Sequence, residues 1–469
     1  MYELDRVSDS TVFVLYGATG DLARRMVLPA FFRLAQAELL PHDWRLIGNG
    51  RGDVSHEDFQ ARVHDALTEF GPQPHECPWE QFRSRLRFAG GGFSTDNPWS
   101  LLDVFGEAER QLGGHPQRVH YFAVPPAAFE PLTRGLGRHG LAARSRVVFE
   151  KPFGTSMGSF HALDCAVHQV LDESQVFRID HFLGKEAAQD LYAVRFGNGL
   201  FSGVWDRSHV AAVQIDVPEV LDVADRAAFY DGTGAVLDML VTHLFQVAAE
   251  VAMEPPASFG ADDLAAAREA VIDAFRPLEP DDVVLGQFDG YRDIEGVADG
   301  SRTETFVAAR LWVDTERWRG VPFLLRTGKQ LAASRQQVSL MFRQPNAPVH
   351  ELPALGNVLT FDLAGDGELD LSLVVKEPGP DLTLSTAHTA LPLRTVPGAH
   401  PLPPYVRLIH DVLLGDRSLF TRPDGLEHVW QVAGVLLADK PKPVIYPKGS
   451  WGPAQADRLA EPIGWLLKS

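Results

Sequence analysis

The sequence predicts two domains: a doubly wound α/β domain over residues 1–180 and an α+β domain with a large, mostly antiparallel sheet over residues 181–469. Its 469 residues are more than one hydrophobic core usually supports. Short apolar segments alternate with longer amphipathic segments in the first part, whereas strand-like segments follow one another with few helices between them in the second. A composition of 45% hydrophobic and 22% charged residues is typical of a folded globular chain.

Five short segments in the first part are rich in Val, Ile and Phe and are bounded by Gly, Pro or charged residues. This composition predicts buried parallel strands over Thr11–Tyr16, Arg45–Gly48, Arg118–Val124, Arg146–Glu150 and Gln175–Asp180. Amphipathic patterns lie between them, for example over Ser55–Phe70, where Ser55 and Asp58 resemble the pair that caps a helix N-terminus. The alternation predicts a parallel sheet with helices on both faces.

The second part contains segments with alternating or mixed strand character. Strands are predicted over Val210–Val217, Thr305–Val313, Val338–Phe342, Val358–Leu363 and Glu368–Val375. Helices are predicted over Val236–Met253, Ala261–Phe275, Tyr405–Leu414 and Leu426–Asp439. The boundary between the two domains falls near Asp180, without a flexible linker.

Charge and composition exclude several classes of protein. A net charge of −19 argues against a general nucleic-acid binder, since phosphate backbones require a basic surface. The N-terminus is polar, and no segment approaches the ~20 apolar residues of a membrane span, so we expect no membrane partner and a cytoplasmic location. Cys77 and Cys165 lack metal-ligand spacing and are expected to be buried small side chains, with no metal site.

A glycine-containing turn follows the first predicted strand and opens a helix. It reads Gly17-Ala-Thr19-Gly20-Asp21-Leu22-Ala23. Small residues at such a turn let backbone N–H groups and the positive helix end approach a pyrophosphate. The same spacing occurs in plain tight turns, but its position after the first strand favours a dinucleotide bound by Gly17, Thr19, Gly20, Asp21 and Leu22.

The end of the second strand indicates which dinucleotide is bound. NAD enzymes usually carry an acid there for the ribose 2′-hydroxyl, whereas an arginine accommodates the 2′-phosphate of NADP. Here no acid occurs before Asp53, and Arg51 together with the Thr19 hydroxyl is suited to a phosphate. NADP is therefore favoured and NAD remains possible, the alternative for Arg51 being a solvated loop residue.

Two further segments concentrate polar groups at predicted strand ends. Glu150-Lys151-Pro152-Phe153-Gly154 ends the fourth strand, where a lysine faces either the ligand crevice or solvent, and Pro152 is a candidate for a cis bond. The segment from Arg178 to Glu186 reads Arg-Ile-Asp-His-Phe-Leu-Gly-Lys-Glu. Its His181 and Lys185 are four residues apart, so a helix starting near Gly184 would bring both towards an anion.

These three segments resemble the signature segments of glucose-6-phosphate dehydrogenases. The likeness continues through Phe229–Asp231, Asp238, His243, Ala252–Pro256, Gly320–Phe323, Arg326–Lys329 and Asp411. The resemblance implies an N-terminal dinucleotide-binding domain and a C-terminal domain whose sheet mediates dimerisation, in a homodimer or homotetramer. It also implies oxidation of the C1 hydroxyl of glucose 6-phosphate to a lactone with hydride transfer to NADP, the opening step of the oxidative pentose phosphate pathway.

The resemblance implies a role for each matching residue. His243 resembles the general base and Asp180 the carboxylate that orients and stabilises it. Lys151 resembles a residue that contacts both sugar and cofactor. The remaining substrate residues are Glu219 and Asp238 for the sugar hydroxyls and His181, Lys185 and Lys329 for the phosphate. On an α-helix, Asp238 and His243 would lie about 140° apart, so we expect them to approach the sugar from different sides.

The chain departs from the family pattern at four places. Met26 stands for a common lysine near the substrate, Phe182 for a phosphate-binding tyrosine, Thr242 for an asparagine and Leu363-Ala364 for Gln-Pro. These departures leave open a paralogue that oxidises another hexose or hexose derivative. A non-catalytic, nucleotide-binding regulatory partner is a second alternative, but the set Asp180, His181, Lys185, His243 and Lys329 argues against it.

Overall fold

The computed structural model describes residues 10–346, 352–353 and 356–467. The chain forms two compact units. The N-terminal unit contains the described chain up to Gly184, together with Gly260–Asp262 and Pro403–Pro423. The C-terminal unit contains Lys185–Phe259, Asp263–Leu402 and the chain from Asp424 onwards.

The N-terminal unit is built on a seven-stranded sheet. Its strands are β1 (Ser10–Tyr16), β2 (Asp43–Asn49), β3 (Leu86–Ala89), β4 (Gln117–Phe122), β5 (Ser145–Phe149), β6 (Val176–Ile179) and β15 (Phe420–Thr421). The order is β3-β2-β1-β4-β5-β6-β15, parallel except for β15. The strand order reverses at β1, which is where doubly wound folds bind their ligands.

Helices connect these strands. They are α1 (Leu28–Gln36), α2 (His56–Phe70), α3 (Glu76–Arg83), α4 (Leu101–Leu112), α5 (Phe129–Arg138), α6 (Met157–His168) and α12 (Pro404–Leu414). A π-helical turn, Ala23–Val27, precedes α1. The Ser55 hydroxyl accepts the N–H of Asp58 at 3.0 Å, which confirms the predicted capping pair of α2.

The five strands predicted for the N-terminal unit are present, and β3 and β15 are additional. β3 has only four residues, and β15 has two residues that pair with β6 from about 240 positions along the chain. Neither is long enough to show a hydrophobic period in the sequence. The predicted burial of the cysteines is wrong, because Cys77 and Cys165 are both exposed and free.

The C-terminal unit is built on a nine-stranded sheet. Its strands are β7 (Val210–Pro218), β8 (Val283–Phe288), β9 (Phe306–Leu311), β10 (Phe323–Gly328), β11 (Gln337–Phe342), β12 (Val358–Asp362), β13 (Glu368–Lys376), β14 (Leu384–Pro392) and β16 (Val444–Tyr446). The order is β14-β13-β12-β11-β7-β10-β9-β8-β16. Among the strands of the described ranges, only the pairs β7–β10 and β8–β16 are parallel, which confirms a large, mostly antiparallel sheet.

Helices lie between these strands and after them. They are α7 (Glu186–Gly197), α8 (Gly199–Ser202), α9 (Ala227–Asp231), α10 (Phe245–Ala252), α11 (Ala261–Asp273), α13 (Pro423–Ala438) and α14 (Ala456–Leu459). No helix in the described ranges is long and apolar enough to cross a membrane.

The helix predicted over Val236–Met253 has a different form at its start. Residues Val236–Leu244 form a π-helix, and α10 follows it directly. The Phe245 N–H bonds to the carbonyl of Leu240, and the Thr242 hydroxyl donates to the carbonyl of Leu237 at 2.6 Å, each five residues back. Because bonds of this spacing bring residues i and i+5 to the same face, the expected 140° separation of Asp238 and His243 is wrong.

Candidate active site

The glycine turn after β1 is packed too closely for any other residue at Gly17. Its φ is +74°, and a Cβ there would lie 2.3 Å from the carbonyl oxygen of Ala123. The N–H groups of Gly17 and Ala18 donate to the carbonyl of Asn49 at 2.9 and 3.1 Å. The turn therefore lies among the ends of β1, β2 and β4, at the point where the strand order reverses.

The residues after this turn enter the π-helical turn and α1. Ala23, in the place of the usual third glycine, is fully buried, as expected for close packing of helix on strand. The Asp21 carboxylate is exposed and accepts a hydrogen bond from Nε of Arg25, with 2.6 Å between the nitrogen and the oxygen. Met26, one of the departures, is 45% exposed.

Arg51 directly precedes Gly52, which lines a cavity of about 690 Å³ at the ends of β2 and β3, and Thr19 lies near Gly50. Both side chains are exposed, and the Thr19 hydroxyl lies over Gly50, 3.3 Å from where a Cβ would stand. The cavity is lined by the segment Gly52–His56, by Phe88, Gly90 and Gly91, and by Trp99, Ser100 and Val104. Its apolar walls and its place beside Arg51 suit a flat aromatic ring attached to a phosphate.

Trp99 was not identified from the sequence. It has a left-handed backbone, with φ +44°, a conformation that is costly for a bulky side chain and that clusters at ligand sites. Its main-chain N–H donates to the Asn97 side-chain oxygen at 2.8 Å. Its indole ring packs on Gly91, where a Cβ would lie 2.5 Å from the ring. Trp99 lies in a loop without periodicity, so nothing in the sequence indicated that its ring would line a cavity.

The segment after β5 contains a buried acid followed by Lys151. The Tyr121 hydroxyl donates to Glu150 at 2.6 Å and the Tyr405 hydroxyl at 3.5 Å. Burial raises the pKa of Glu150 above its usual value, and the hydrogen bonds and the neighbouring Lys151 oppose that rise. The bond from Lys151 to Pro152 is cis, which confirms the expectation for this turn.

Asp180 and His181 follow β6 directly. Asp180 is 1% exposed, and one of its carboxylate oxygens accepts the N–H of Phe182 at 2.9 Å. The His181 ring is stacked on Tyr405, with centroids 6.3 Å apart. Burial raises the pKa of Tyr405, and the charges of Glu150 and Asp180 add to this effect. Tyr405, which the sequence did not single out, therefore connects the Lys151 segment with the Asp180–His181 segment.

Arg178 belongs to the same motif but has a structural role. It is buried, it forms ion pairs with Asp164 and Glu173 at 2.9 Å each, and it lies over the ring of Phe153. These two carboxylates balance the charge of Arg178 in the interior.

In the C-terminal unit, Glu219 and Lys329 form an ion pair. The parallel strands β7 and β10 end opposite each other, with Pro218 in register with Gly328, so the two following side chains meet at 2.6 Å. Lys329 is only 5% exposed. A buried lysine requires such a partner to offset its loss of hydration.

Tyr230 lies among the predicted substrate residues of this unit. The Lys329 ammonium is 5.9 Å from its ring centroid. Burial raises the pKa of Tyr230, and the charges of Asp238, Glu304 and Glu219 raise it further. The charges of Glu219 and Asp238 thus act on the same buried phenol that lies near Lys329.

The remaining predicted residues of the C-terminal unit are His243 and Lys185. His243 is fully buried in the π-helix, on the face that also carries Asp238. The Lys185 ammonium donates to the carbonyl of Leu363 at 3.1 Å. Because this contact is to the main chain, it does not depend on the Leu363-Ala364 departure from the family pattern.

Two family profiles together match most of the chain. The family profile "Glucose-6-phosphate dehydrogenase, NAD binding domain" matches residues 14–190, and "Glucose-6-phosphate dehydrogenase, C-terminal domain" matches residues 192–465. The glucose-6-phosphate 1-dehydrogenase 2 of Mycobacterium tuberculosis is 37% identical, over 98% of this chain and 95% of its own. The glucose-6-phosphate 1-dehydrogenase of Gluconobacter oxydans is 36% identical, over 95% of each chain.

Solved structures give the same result. The crystal structure of glucose-6-phosphate 1-dehydrogenase from Mycobacterium avium has a TM-score of 0.88 and 33% identity, covering 98% of this chain and 99% of its own. A glucose-6-phosphate dehydrogenase in complex with glucose 6-phosphate has a TM-score of 0.91 and 29% identity, over 99% and 100%. The chain therefore belongs to the glucose-6-phosphate dehydrogenase family.

Proposed function

We propose that this protein oxidises the C1 hydroxyl of D-glucose 6-phosphate to 6-phosphogluconolactone and transfers the hydride to NADP. The observation that carries the proposal is the match to the family over both units. One structural relative was solved with glucose 6-phosphate as its substrate. The family also supports a cytoplasmic location and a place at the start of the oxidative pentose phosphate pathway.

The catalytic roles follow from the chemistry of the reaction. A base must take the proton of the C1 hydroxyl while hydride leaves C1, and an imidazole titrates in the range this requires. His243 is assigned as that base, with Asp180 as the carboxylate that stabilises its protonated form. Lys151 is assigned to both sugar and cofactor, and Glu219 and Asp238 to the sugar hydroxyls.

NADP is the proposed cofactor, bound in the N-terminal unit. When bound, it supplies the nicotinamide ring that accepts the hydride. Its pyrophosphate is assigned to the turn from Gly17 to Leu22 and its 2′-phosphate to Arg51 and Thr19. We assign the adenine to the cavity beside Trp99, because its apolar walls and half-exposed indole suit a planar ring.

The phosphate of the substrate is assigned to His181, Lys185 and Lys329. Two observations favour a second candidate, a different hexose or hexose derivative. Lys329 is neutralised by Glu219, and Phe182, in place of a tyrosine, is buried without a hydroxyl. Initial rates with glucose 6-phosphate and with free glucose, each with NADP and with NAD, test both candidates. The fastest rate with glucose 6-phosphate and NADP is expected, and a preference for free glucose would favour the second.

A homodimer or homotetramer is proposed from the family resemblance and from the exposed edge of the nine-stranded sheet. Strand β14 is at one edge of the nine-stranded sheet, and Leu373, Val375 and Leu391 on β13 and β14 are exposed large hydrophobic residues. Exposed edges and apolar side chains of this kind are usually covered by another chain. Sedimentation velocity is expected to show at least a dimer, which Leu373→Glu should weaken.

A further inference from the structure

A buried carboxylate lies at the start of the π-helix that carries Asp238 and His243. Glu304 is 1% exposed, although it precedes β9 and is 68 residues from the helix. One of its oxygens accepts the N–H of Val236, the first residue of the helix, at 3.2 Å. Its main-chain carbonyl accepts the N–H of Ala235 at 2.9 Å.

These contacts replace a conventional N-cap. Ala235, at the N-cap position, has no side chain that can accept a hydrogen bond, so the first N–H groups need partners from elsewhere. A carboxylate at this end also interacts favourably with the helix dipole. Gly234, with φ +67°, leaves space for it, because a Cβ there would lie 2.5 Å from the Glu304 oxygen.

The charge of Glu304 is balanced from a third segment. The Lys440 ammonium lies 3.1 and 3.3 Å from its two oxygens, in the connection between α13 and β16. Lys440 is about one-third exposed, whereas the carboxylate is buried. A lone charged carboxylate would be costly to bury at the helix start. The ion pair with Lys440 offsets that cost.

The next residue, Thr305, holds the segment that carries Lys329. Its carbonyl accepts the N–H of Lys329 at 2.8 Å. The Tyr446 hydroxyl lies 3.0 Å from the Thr305 hydroxyl and donates to the Lys329 carbonyl at 2.6 Å. The adjacent residues Glu304 and Thr305 thus contact the start of the π-helix and Lys329, respectively.

We propose that Glu304, balanced by Lys440, is a positioning residue that holds the π-helix of Asp238 and His243 in register with Lys329. It does not contact the reacting atoms in this role. The inference rests on the proposed function for its kinetic consequence, although the structural consequence can be measured without it. Since a displacement of about 1 Å at a reacting group can cost roughly 10²-fold in rate, loss of this contact should lower turnover.

The test compares three variants with the wild type. Glu304→Ala removes the acceptor, whereas Glu304→Gln combined with Lys440→Met keeps an acceptor oxygen and removes the unpaired cation. Glu109→Gln, which breaks the Glu109–Arg118 pair of the N-terminal unit, is the matched control. Readouts are kcat, the isotope effect with glucose 6-phosphate deuterated at C1, the Kd of NADP and amide exchange over residues 236–244.

Glu304→Ala is expected to lower kcat at least tenfold, to increase the isotope effect and to accelerate amide exchange in the π-helix, with the Kd of NADP unchanged. The double variant should recover kcat to within about threefold and restore slow exchange, and the control should change neither. If Glu304→Ala does not fold, Gly234→Ala serves as the second variant. Its Cβ would clash with the Glu304 carboxylate and move it away from the start of the helix.

Wild-type kcat and wild-type exchange in Glu304→Ala would overturn the inference, and so would a loss that the double variant does not recover. If instead the wild type oxidises no hexose phosphate, the proposed function fails. The exchange measurement then still decides whether Glu304 holds the helix.

Discussion

Lys329 and Glu219 form a 2.6 Å ion pair at the adjoining carboxyl ends of the parallel strands β10 and β7. If Lys329 binds the substrate phosphate, as proposed, the phosphate must compete with the Glu219 carboxylate for the ammonium. A sugar hydroxyl that takes over the Glu219 carboxylate would release the lysine at the same time. Under the proposed function, substrate binding would therefore have to separate this ion pair.

Substituting Lys329 tests this arrangement. Lys329→Ala is expected to raise the KM for glucose 6-phosphate at least tenfold, because a tenfold change is only about 1.4 kcal/mol and a buried charge pair with phosphate exceeds that. Steady-state rates at low and high salt measure this change in KM, with Lys376→Ala, an exposed residue at the end of β13, as the control. An unchanged KM would remove Lys329 from the phosphate site.

Turnover should depend on His243. His243→Asn is expected to lower kcat by roughly 10²–10⁴, the usual effect of losing a positioned base, with little change in KM. Asp180→Asn should lower kcat by a smaller factor, since it disturbs the orientation of the base without removing it. His388→Asn, on the exposed strand β14, is the control for a histidine outside the site. Near-native turnover in His243→Asn would mean that another group takes the proton.

The cofactor site offers a contrast between two residues. Arg51→Ala is expected to weaken NADP much more than NAD, since only NADP carries the 2′-phosphate that a guanidinium binds. Trp99→Ala should weaken both equally, because both carry the adenine. Fluorescence titration of each variant with each dinucleotide measures this. Equal losses in Arg51→Ala would show that Arg51 only supports its loop.

The fall in the free energy of unfolding at acid pH should depend on His120. Burial lowers the pKa of this fully buried histidine to about 3, while its hydrogen bond to the Leu141 carbonyl opposes the shift. Because the unfolded chain takes up a proton near pH 6.5 and the folded state does not, stability should fall by about 1.4 kcal/mol per pH unit below 6.5, towards pH 3.

Amide exchange of β4, measured between pH 7 and 4.5 and corrected for intrinsic rates, gives the free energy of opening. His120→Asn should have a shallower pH dependence than the wild type, even if it is less stable at pH 7. Identical slopes in the two proteins would show that other groups cause the acid instability.

Local patterns were sufficient for much of the N-terminal unit. The strands before Gly17 and Lys151 are buried on both faces, so their apolar segments are visible without knowledge of their neighbours. The Ser55–Asp58 cap was likewise predictable because its partners are three residues apart. The glycine turn followed from the position of Gly17 and Gly20 after the first strand.

The sequence by itself determined the class of each domain, the glycine turn and the family, because these depend on residues close together in the chain. Only the tertiary structure decided which distant groups meet. The pairing of Lys329 with Glu219, the support of Val236 by Glu304 and the contact of Tyr405 with His181 join residues separated by 68 to 224 positions. The π-helix also belongs to this group, since a hydrogen-bond spacing of five has no hydrophobic period that distinguishes it from an α-helix.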